Sequence, residues 1–134
     1  MNAPAPAVSL GFAALNIDCA DPAALAEFWG KILGRPVSPG AVAGDMAVDA
    51  TDPAKGPRLI FHEVPEPEAV RNRLRPVLLT AHHDEETERL TSLGAKLLNE
   101  LKLPALRHST FADPEGNDFD LVTWQSPSNH QPRT

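Results

Sequence analysis

The sequence has very little cysteine, because Cys19 is the only one among 134 residues. No disulfide can therefore form within the chain, a cysteine-based zinc finger is excluded, and we expect a cytoplasmic protein. Long apolar runs are also lacking, since no stretch approaches the roughly 20 consecutive apolar residues that cross a bilayer. The apolar run at residues 5–20 follows no Lys or Arg and contains Asp18, so we interpret it as a tail and a strand rather than an export signal. No membrane partner is expected.

Basic residues are too few to suggest nucleic acid as a partner. The chain has 12 Lys and Arg against 18 Asp and Glu, which gives a net charge of -6 and a pI near 5.2. The acidic residues are spread along the chain, as is typical of a solvated surface. With 42% hydrophobic residues, a chain of this length can build the core of one domain. We place that domain at residues 8–125, between flexible tails at residues 1–7 and 126–134.

Several segments of the first half have the pattern of a β-strand. In residues 10–19, every second residue from Leu15 to Cys19 is apolar, which is the period of a half-buried strand. Two short strands are predicted around Val37 and at residues 46–48, and a longer one at residues 58–64.

A helix is predicted between the first two of these strands. Asp21 can cap free backbone N–H groups, and Pro22 at the first helical position loses no needed donor. Apolar residues then recur at three- and four-residue spacing and form one face: Leu25, Phe28, Trp29, Ile32 and Leu33. Because Gly34 supplies a left-handed C-terminal cap, the helix is predicted at Pro22–Leu33.

The second half repeats this order of elements. A strand at residues 74–80 is followed by a helix with Asp84 as its predicted cap and with an apolar stripe formed by Thr87, Leu90 and Leu93. The helix is closed by Gly94, which lies 60 residues after Gly34. Three more strands are predicted, at residues 95–98, 106–112 and 118–124, the last two joined by a turn at residues 113–117. The pattern therefore indicates an internal duplication of one βαβββ unit, with halves at about residues 8–70 and 71–125.

Three segments carry a resemblance to a known family. The run LNIDCADPAALAEFWGKILGRPV resembles the opening strand and helix of the vicinal oxygen chelate superfamily (glyoxalase/bleomycin resistance protein/dioxygenase), and FADPEGNDFDLV resembles its closing hairpin. The segment FHEVPEPEAVRNRL resembles the glyoxalase-like domain branch of that superfamily. The resemblance covers about residues 11–124.

The resemblance implies an α+β fold in which two βαβββ modules form curved mixed sheets around a ligand cavity. The alternation in the last strand agrees with this arrangement. Phe119, Leu121 and Thr123 are expected to lie under a helix, so that Asp120 faces the cavity. The sequence leaves open whether the two modules pair within one chain or across a dimer.

The resemblance also implies positions for a divalent metal, which members usually hold with His, Gln or Glu from the first and fourth strands of both modules. Here the first of these positions falls on Ala14, which cannot bind a metal. The equivalent position in the second half falls on Arg75, whose guanidinium repels a cation. Asp120 remains as a possible ligand, together with Phe61 or His62, depending on the register of the fourth strand. Two side chains seldom hold a catalytic divalent ion, so we expect no metal and no other cofactor.

Arg75 and Asp120 are the most informative candidate site residues. If it faces the cavity, Arg75 supplies a fixed positive charge and planar donors for a carboxylate, phosphate or enolate. The alternative is a surface arginine in a solvated stripe with Arg71 and Arg73. Asp120 is either a general base or the partner that holds Arg75 in place, and we favour the pairing.

Three further residues complete the candidate ligand site. His62 and His108 lie in predicted strands and can move protons near neutral pH, although a structural role is favoured for each alone. Asn16 of the first strand is the third candidate for ligand binding. We interpret His82 and His83 as the turn into the second helix rather than as metal ligands.

The sequence leaves two candidate functions open. The first is metal-independent binding of a small organic molecule, with an organic anion as one candidate, by a homodimer. The alternative is a lyase or isomerase of the same superfamily that abstracts a proton next to a carbonyl. Its base would be His108, His62 or Asp120, and Arg75 would stabilise the enolate.

Overall fold

The computed structural model describes residues 12–52, 55–65 and 74–124, which form eight strands and two helices. The first half contains β1 (Ala14–Cys19), α1 (Pro22–Leu33), β2 (Val37–Pro39), β3 (Met46–Val48) and β4 (Arg58–Glu63). The second half contains β5 (Val77–Leu79), α2 (His83–Ser92), β6 (Lys96–Leu103), β7 (Leu106–Ala112) and β8 (Asp118–Trp124). The predicted tails, residues 1–7 and 126–134, lie outside the described residues.

Each half builds one four-stranded mixed sheet. Sheet 1 has the strand order β1-β4-β3-β2, and sheet 2 has the order β5-β8-β7-β6. In both sheets the first strand of the module runs parallel to the fourth, and the other neighbours are antiparallel. The identical topology confirms the predicted α+β fold class with two βαβββ modules.

The first helix has the bounds and caps that its sequence predicts. Asp21 Oδ1 accepts a hydrogen bond from the backbone N–H of Ala24 at 3.1 Å, and Pro22 occupies the first turn. Gly34 ends the helix in the left-handed conformation, with φ 65° and ψ 37°. Within the described ranges, neither helix has the length and the apolar content that a membrane-spanning helix needs.

The second helix begins differently from its prediction, which was wrong in assigning the cap to Asp84. The capping residue is His82, and it makes no side-chain capping hydrogen bond. Asp84 lies inside the first turn, where its carboxylate forms an ion pair with Arg107 Nη1 at 2.9 Å. Position 83 belongs to the helix, and the side chain of His83 is buried, with 4% of its surface exposed.

Strand β6 is twice as long as the four-residue strand predicted at residues 95–98. Every residue of β6 is exposed, so burial imposes no alternation on its sequence. An irregularity between Leu97 and Asn99 interrupts the pairing register as well. The strand is extended by antiparallel pairing with β7, up to Leu103 opposite Leu106, which the local pattern did not reveal.

The two faces of each sheet differ in their surroundings. In β4, Leu59 and Phe61 are buried in the core beneath α1, whereas His62 is exposed on the opposite face. This fixes the register that the sequence left open and excludes Phe61 as a site residue. In β8, Phe119 and Leu121 lie in the same hydrophobic core, as predicted. We call the faces that point away from the helices the open faces.

The two halves are joined on their helix sides. The ring of Trp29 in α1 packs against Phe119 of β8 at a centroid distance of 5.0 Å, and its Nε1 donates to Asp113 Oδ2 at 3.0 Å. Glu115, in the same hairpin as Asp113, accepts hydrogen bonds from the backbone N–H groups of Ala20 and Asp21 at 2.7 and 2.8 Å. The hairpin of the second half therefore binds the start and the middle of the first-half helix.

Candidate functional site

Four polar side chains meet on the open face of sheet 2. Arg75 Nη2 donates to Asp120 Oδ1 at 2.9 Å and to Thr110 Oγ1 at 3.2 Å. Thr110 Oγ1 donates to the same Asp120 oxygen at 2.9 Å, and His108 Nε2 lies 3.3 Å from it. Strand register explains the meeting, because Thr110 of β7 and Val77 of β5 are both opposite Asp120 of β8. We call these four residues the Arg75 cluster.

The electrostatics of the cluster favour an ionised pair. Burial alone would raise the pKa of Asp120, but hydrogen bonds from Arg75 and Thr110 and the positive charge of Arg75 outweigh it, so the pKa is lowered. The hydrogen bond to Asp120 raises the pKa of Arg75. The Asp120 side chain is 10% exposed and the Arg75 side chain 47% exposed. The cluster therefore holds a fixed guanidinium with part of its surface open to a ligand.

Removal of the guanidinium is expected to reverse the shift at the buried carboxylate. In an Arg75→Met variant, the pKa of Asp120 should rise, because burial persists while the hydrogen bond and the positive charge are lost. A titration of side-chain carboxyl signals by NMR measures this change. The matched control is Arg58→Met, which removes the partner of Asp49 in sheet 1. An unchanged pKa of Asp120 in Arg75→Met would contradict the pairing.

The sequence favoured the Arg75 and Asp120 pair, and the structure contains it. The neighbours in the suggested basic stripe, Arg71 and Arg73, lie outside the described residues. Thr110 was missed as a member of the cluster. A signal was present, since counting outward from the turn at residues 113–117 places Thr110 opposite Asp120 in a hairpin.

The two remaining candidates, His62 and Asn16, lie on sheet 1, whereas the Arg75 cluster lies on sheet 2. His62 Nδ1 lies 2.8 Å from Asp45 Oδ1, and this hydrogen bond raises the pKa of His62. Asn16 is exposed in β1, two residues before Asp18, which pairs in register with His62. His62 and Asn16 belong to β4 and β1 of sheet 1, whereas His108 and Asp120 belong to β7 and β8 of sheet 2. The structure therefore divides the candidate residues between the two sheets.

The residues at the metal positions implied by the resemblance do not fit a divalent ion. Ala14 offers only a methyl group. The positively charged guanidinium of Arg75 is already hydrogen-bonded to Oδ1 of Asp120. His62 is engaged with Asp45 in the other sheet. In the part of the chain that the structure describes, no group of three or more His, Cys, Asp or Glu side chains is arranged to hold a metal.

Cys19 is not arranged as a nucleophile. Its side chain is buried, with 1% exposed. Burial, followed by the negative charges of Glu115 and Asp21, raises the pKa of the thiol to about 12. The thiol therefore stays protonated near neutral pH and packs as a small buried apolar residue.

The sequence did not identify His83 as a buried polar bridge. Its Nδ1 lies 2.8 Å from Thr123 Oγ1, and its Nε2 lies 2.7 Å from Ser109 Oγ. Burial, followed by the charge of Arg107, lowers the pKa of His83. The bridge fastens the start of α2 to the core face of sheet 2.

His83 predicts a dependence of stability on pH. Because its pKa is lowered in the folded state, the unfolded chain binds the proton more readily. The stabilising contribution is present above the ordinary pKa of 6.5 and is lost as the pH falls below it. We expect the melting temperature of His83→Gln to fall less than that of the natural chain between about pH 8 and about pH 5. The control His82→Gln alters an exposed neighbour; if both variants keep the natural pH profile, His83 has no such role.

Comparison with known proteins supplies the family. The family model described as Glyoxalase-like domain matches residues 14–122, most of the chain. The chain belongs to this family. The match spans both βαβββ modules, so the glyoxalase-like domain comprises sheets 1 and 2 together. No curated protein matches the chain.

Solved structures share the fold at low sequence identity. An antibiotic-binding protein, TnmS3 from a Streptomyces species, is 20% identical with a TM-score of 0.65, over 90% of this chain and 100% of that one. The fosfomycin resistance protein FosX from Listeria monocytogenes, solved with Mn(II) and a dihydroxypropylphosphonic acid, is 16% identical with a TM-score of 0.67, over 95% and 98%. A glyoxalase/bleomycin resistance protein/dioxygenase family enzyme from Burkholderia phytofirmans is 15% identical with a TM-score of 0.65, over 86% and 99%. At these identities the likeness concerns the fold alone.

Proposed function

We propose that this glyoxalase-like domain binds a small organic molecule on the open face of sheet 2, without a metal ion. The observation that carries the proposal is the guanidinium of Arg75, which is bonded to Asp120 where the family resemblance implies a metal ligand. One solved structure with this fold is an antibiotic-binding protein, and another is a fosfomycin resistance protein. Both names refer to small molecules, which supports a ligand of that size here.

The chemistry around Arg75 favours a ligand with both a planar acceptor and an apolar part. A guanidinium carries five N–H donors, and the contacts to Asp120 and Thr110 both use Nη2. Other donors remain for a carboxylate or phosphonate, which suits an organic anion. Apolar side chains on the same sheet are exposed, with Leu79 at 73% and Trp124 at 68%. These side chains offer a surface for the body of the ligand.

The same exposed surface supports a homodimer. Within one chain the two halves meet on their helix sides, through Trp29 and Asp113, so sheet 1 does not cover the open face of sheet 2. The exposed apolar residues of that sheet also include Leu101 and Leu103. A second copy facing this sheet would cover them and close a cavity over the Arg75 cluster. Sedimentation equilibrium should give twice the chain mass, whereas a monomer at all concentrations would contradict the dimer.

A ligand screen tests the proposal. The full chain is freed of metal with EDTA and mixed with organic acids, their neutral amides and alkylamines, and the melting temperature is measured. We expect stabilisation by members of the acid set and little from the amines. The strongest ligand is then titrated with and without Mn(II) in a calorimeter, and equal affinities are expected. A ligand that binds only with metal would overturn metal-independent binding.

The contact between His108 and Asp120 favours a second candidate function, the abstraction of a proton next to a carbonyl. His108 Nε2 lies 3.3 Å from Asp120 Oδ1, so the carboxylate can orient the imidazole while Nδ1 accepts a proton from a carbon next to a carbonyl. Arg75 would then stabilise the enolate. Incubation of a carbonyl-containing ligand in heavy water distinguishes the two functions. Deuterium uptake that His108→Gln abolishes would establish the lyase or isomerase chemistry, and stoichiometric binding without exchange would leave the binding function.

A further inference from the structure

A second hollow lies on the helix side of the molecule, where the end of α1, strand β5 and helix α2 meet. Its volume is about 710 Å³, within the range of small-molecule sites. Its floor is apolar and is formed by Ile32, Leu78, Leu90 and Leu121. The lining includes no member of the Arg75 cluster. We call this hollow the helix-side cleft.

The internal duplication explains why the cleft exists. Trp29 of α1 and Arg89 of α2 are 60 residues apart, the same spacing as the two glycines that follow the helices. The indole of Trp29 fills the space between α1 and the β7–β8 hairpin of the second half, where it donates to Asp113. Arg89 instead turns to the end of α1, where it donates to the carbonyl oxygens of Lys31 and Ile32 at 3.2 and 2.7 Å. The space beside Arg89 is therefore left open.

The rim of the cleft is cationic. Arg35, Lys55 and Arg89 line it together with a single acidic side chain, Glu86. Glu86 is already paired with Arg89 at 2.9 Å, and Arg35 Nη1 donates to the carbonyl oxygen of Pro57 at 2.9 Å. Within residues 12–52, 55–65 and 74–124, neither Arg35 nor Lys55 forms an ion pair. Two cationic side chains without an ion-pair partner in those ranges therefore line the cleft beside its apolar floor.

We propose that the helix-side cleft is a second binding site, for an organic anion with an apolar body such as an alkyl or aryl carboxylate or sulfonate. The apolar part lies on the leucine and isoleucine floor, and the acidic group lies at the rim between Arg35 and Lys55. The cleft shares no charged residue with the Arg75 cluster, and the exposed Leu79 of β5 borders both sites.

The probe for this site is anilinonaphthalene sulfonate, a fluorescent aromatic sulfonate, added to the full chain. Amide spectra recorded by NMR report where it binds. We expect shifts at Thr51, Lys55, Thr80 and Glu86. Shifts confined to residues of sheet 2 outside the cleft, such as Leu101 and Trp124, would overturn the proposal.

Variants test the charge and the space separately. Lys55→Glu is expected to weaken the cleft affinity by about fivefold to tenfold, whereas the charge-matched control Lys102→Glu, on β6, should leave it unchanged. Thr51→Trp places a bulky side chain at the rim and should weaken it by about tenfold or more. Arg75→Met should have no effect at the cleft, so a failure here is distinct from a failure of the proposed function. Unchanged affinity in both Lys55→Glu and Thr51→Trp would refute the site.

Discussion

Replacement of Asp113 by alanine is expected to destabilise the folded chain by about 3 kcal/mol. The carboxylate is 4% exposed, and its Oδ2 accepts the indole N–H of Trp29 at 3.0 Å. Its Oδ1 accepts the backbone N–H groups of Glu115 and Asn117, both at 2.9 Å. Alanine leaves these donors without their acceptor, inside the junction that holds the two modules together. Urea unfolding followed by circular dichroism measures the loss.

Two further variants locate the effect at the junction. Asp113→Asn retains one side-chain oxygen as an acceptor for the turn and should cost less than alanine. Trp29→Phe removes the indole donor, so the double variant with Asp113→Ala should be less destabilised than the two single losses added together. Full additivity, or a cost below about 1 kcal/mol for Asp113→Ala, would show that this contact does not join the modules.

Replacement of Arg75 by methionine is expected to weaken binding of the acid selected by the ligand screen by about 30- to 100-fold. That loss corresponds to about 2–3 kcal/mol, the usual value of a charge-assisted hydrogen bond. The apolar stem is retained in methionine, so the packing changes little while the donors disappear. Isothermal titration on metal-free protein measures the change.

The controls separate charge from geometry at this position. Arg75→Lys keeps a positive charge but loses the planar fork, and we expect an intermediate affinity. Arg58→Met removes a comparably exposed arginine, paired with Asp49 on sheet 1, and should change the affinity by less than about twofold. Equal affinities for the natural chain and Arg75→Met would place the ligand elsewhere.

Much of the fold could be predicted because its signals are local. The helix at Pro22–Leu33 has all its signals within a short stretch. Asp21 accepts a hydrogen bond from a free backbone N–H group, Pro22 fills the first turn, and Gly34 ends the helix in the left-handed conformation. The duplication was evident from the spacing of Gly34 and Gly94. Strand β6 was predicted too short because its eight residues are all exposed, so its extent depends on pairing with β7 rather than on its own pattern.

The site was harder to predict because its members come from different strands. The Arg75 and Asp120 pair was inferred from family positions, but Thr110 enters through hairpin register. His83 was interpreted as a turn residue, because only the folded sheet places Ser109 and Thr123 at its two ring nitrogens. A long-range contact of this kind leaves no trace in a single sequence.

The guanidinium of Arg75 is proposed to occupy a position at which the family resemblance implies a metal ligand. The most direct test is the metal content of the purified full chain after equilibration with Mn(II), Zn(II) and Ni(II) and subsequent desalting, measured by elemental analysis. We predict a content far below one ion per chain, the same for the natural protein and for Asp120→Ala. One tightly held ion per chain, lost when Asp120 is replaced, would contradict metal-independent binding at this site.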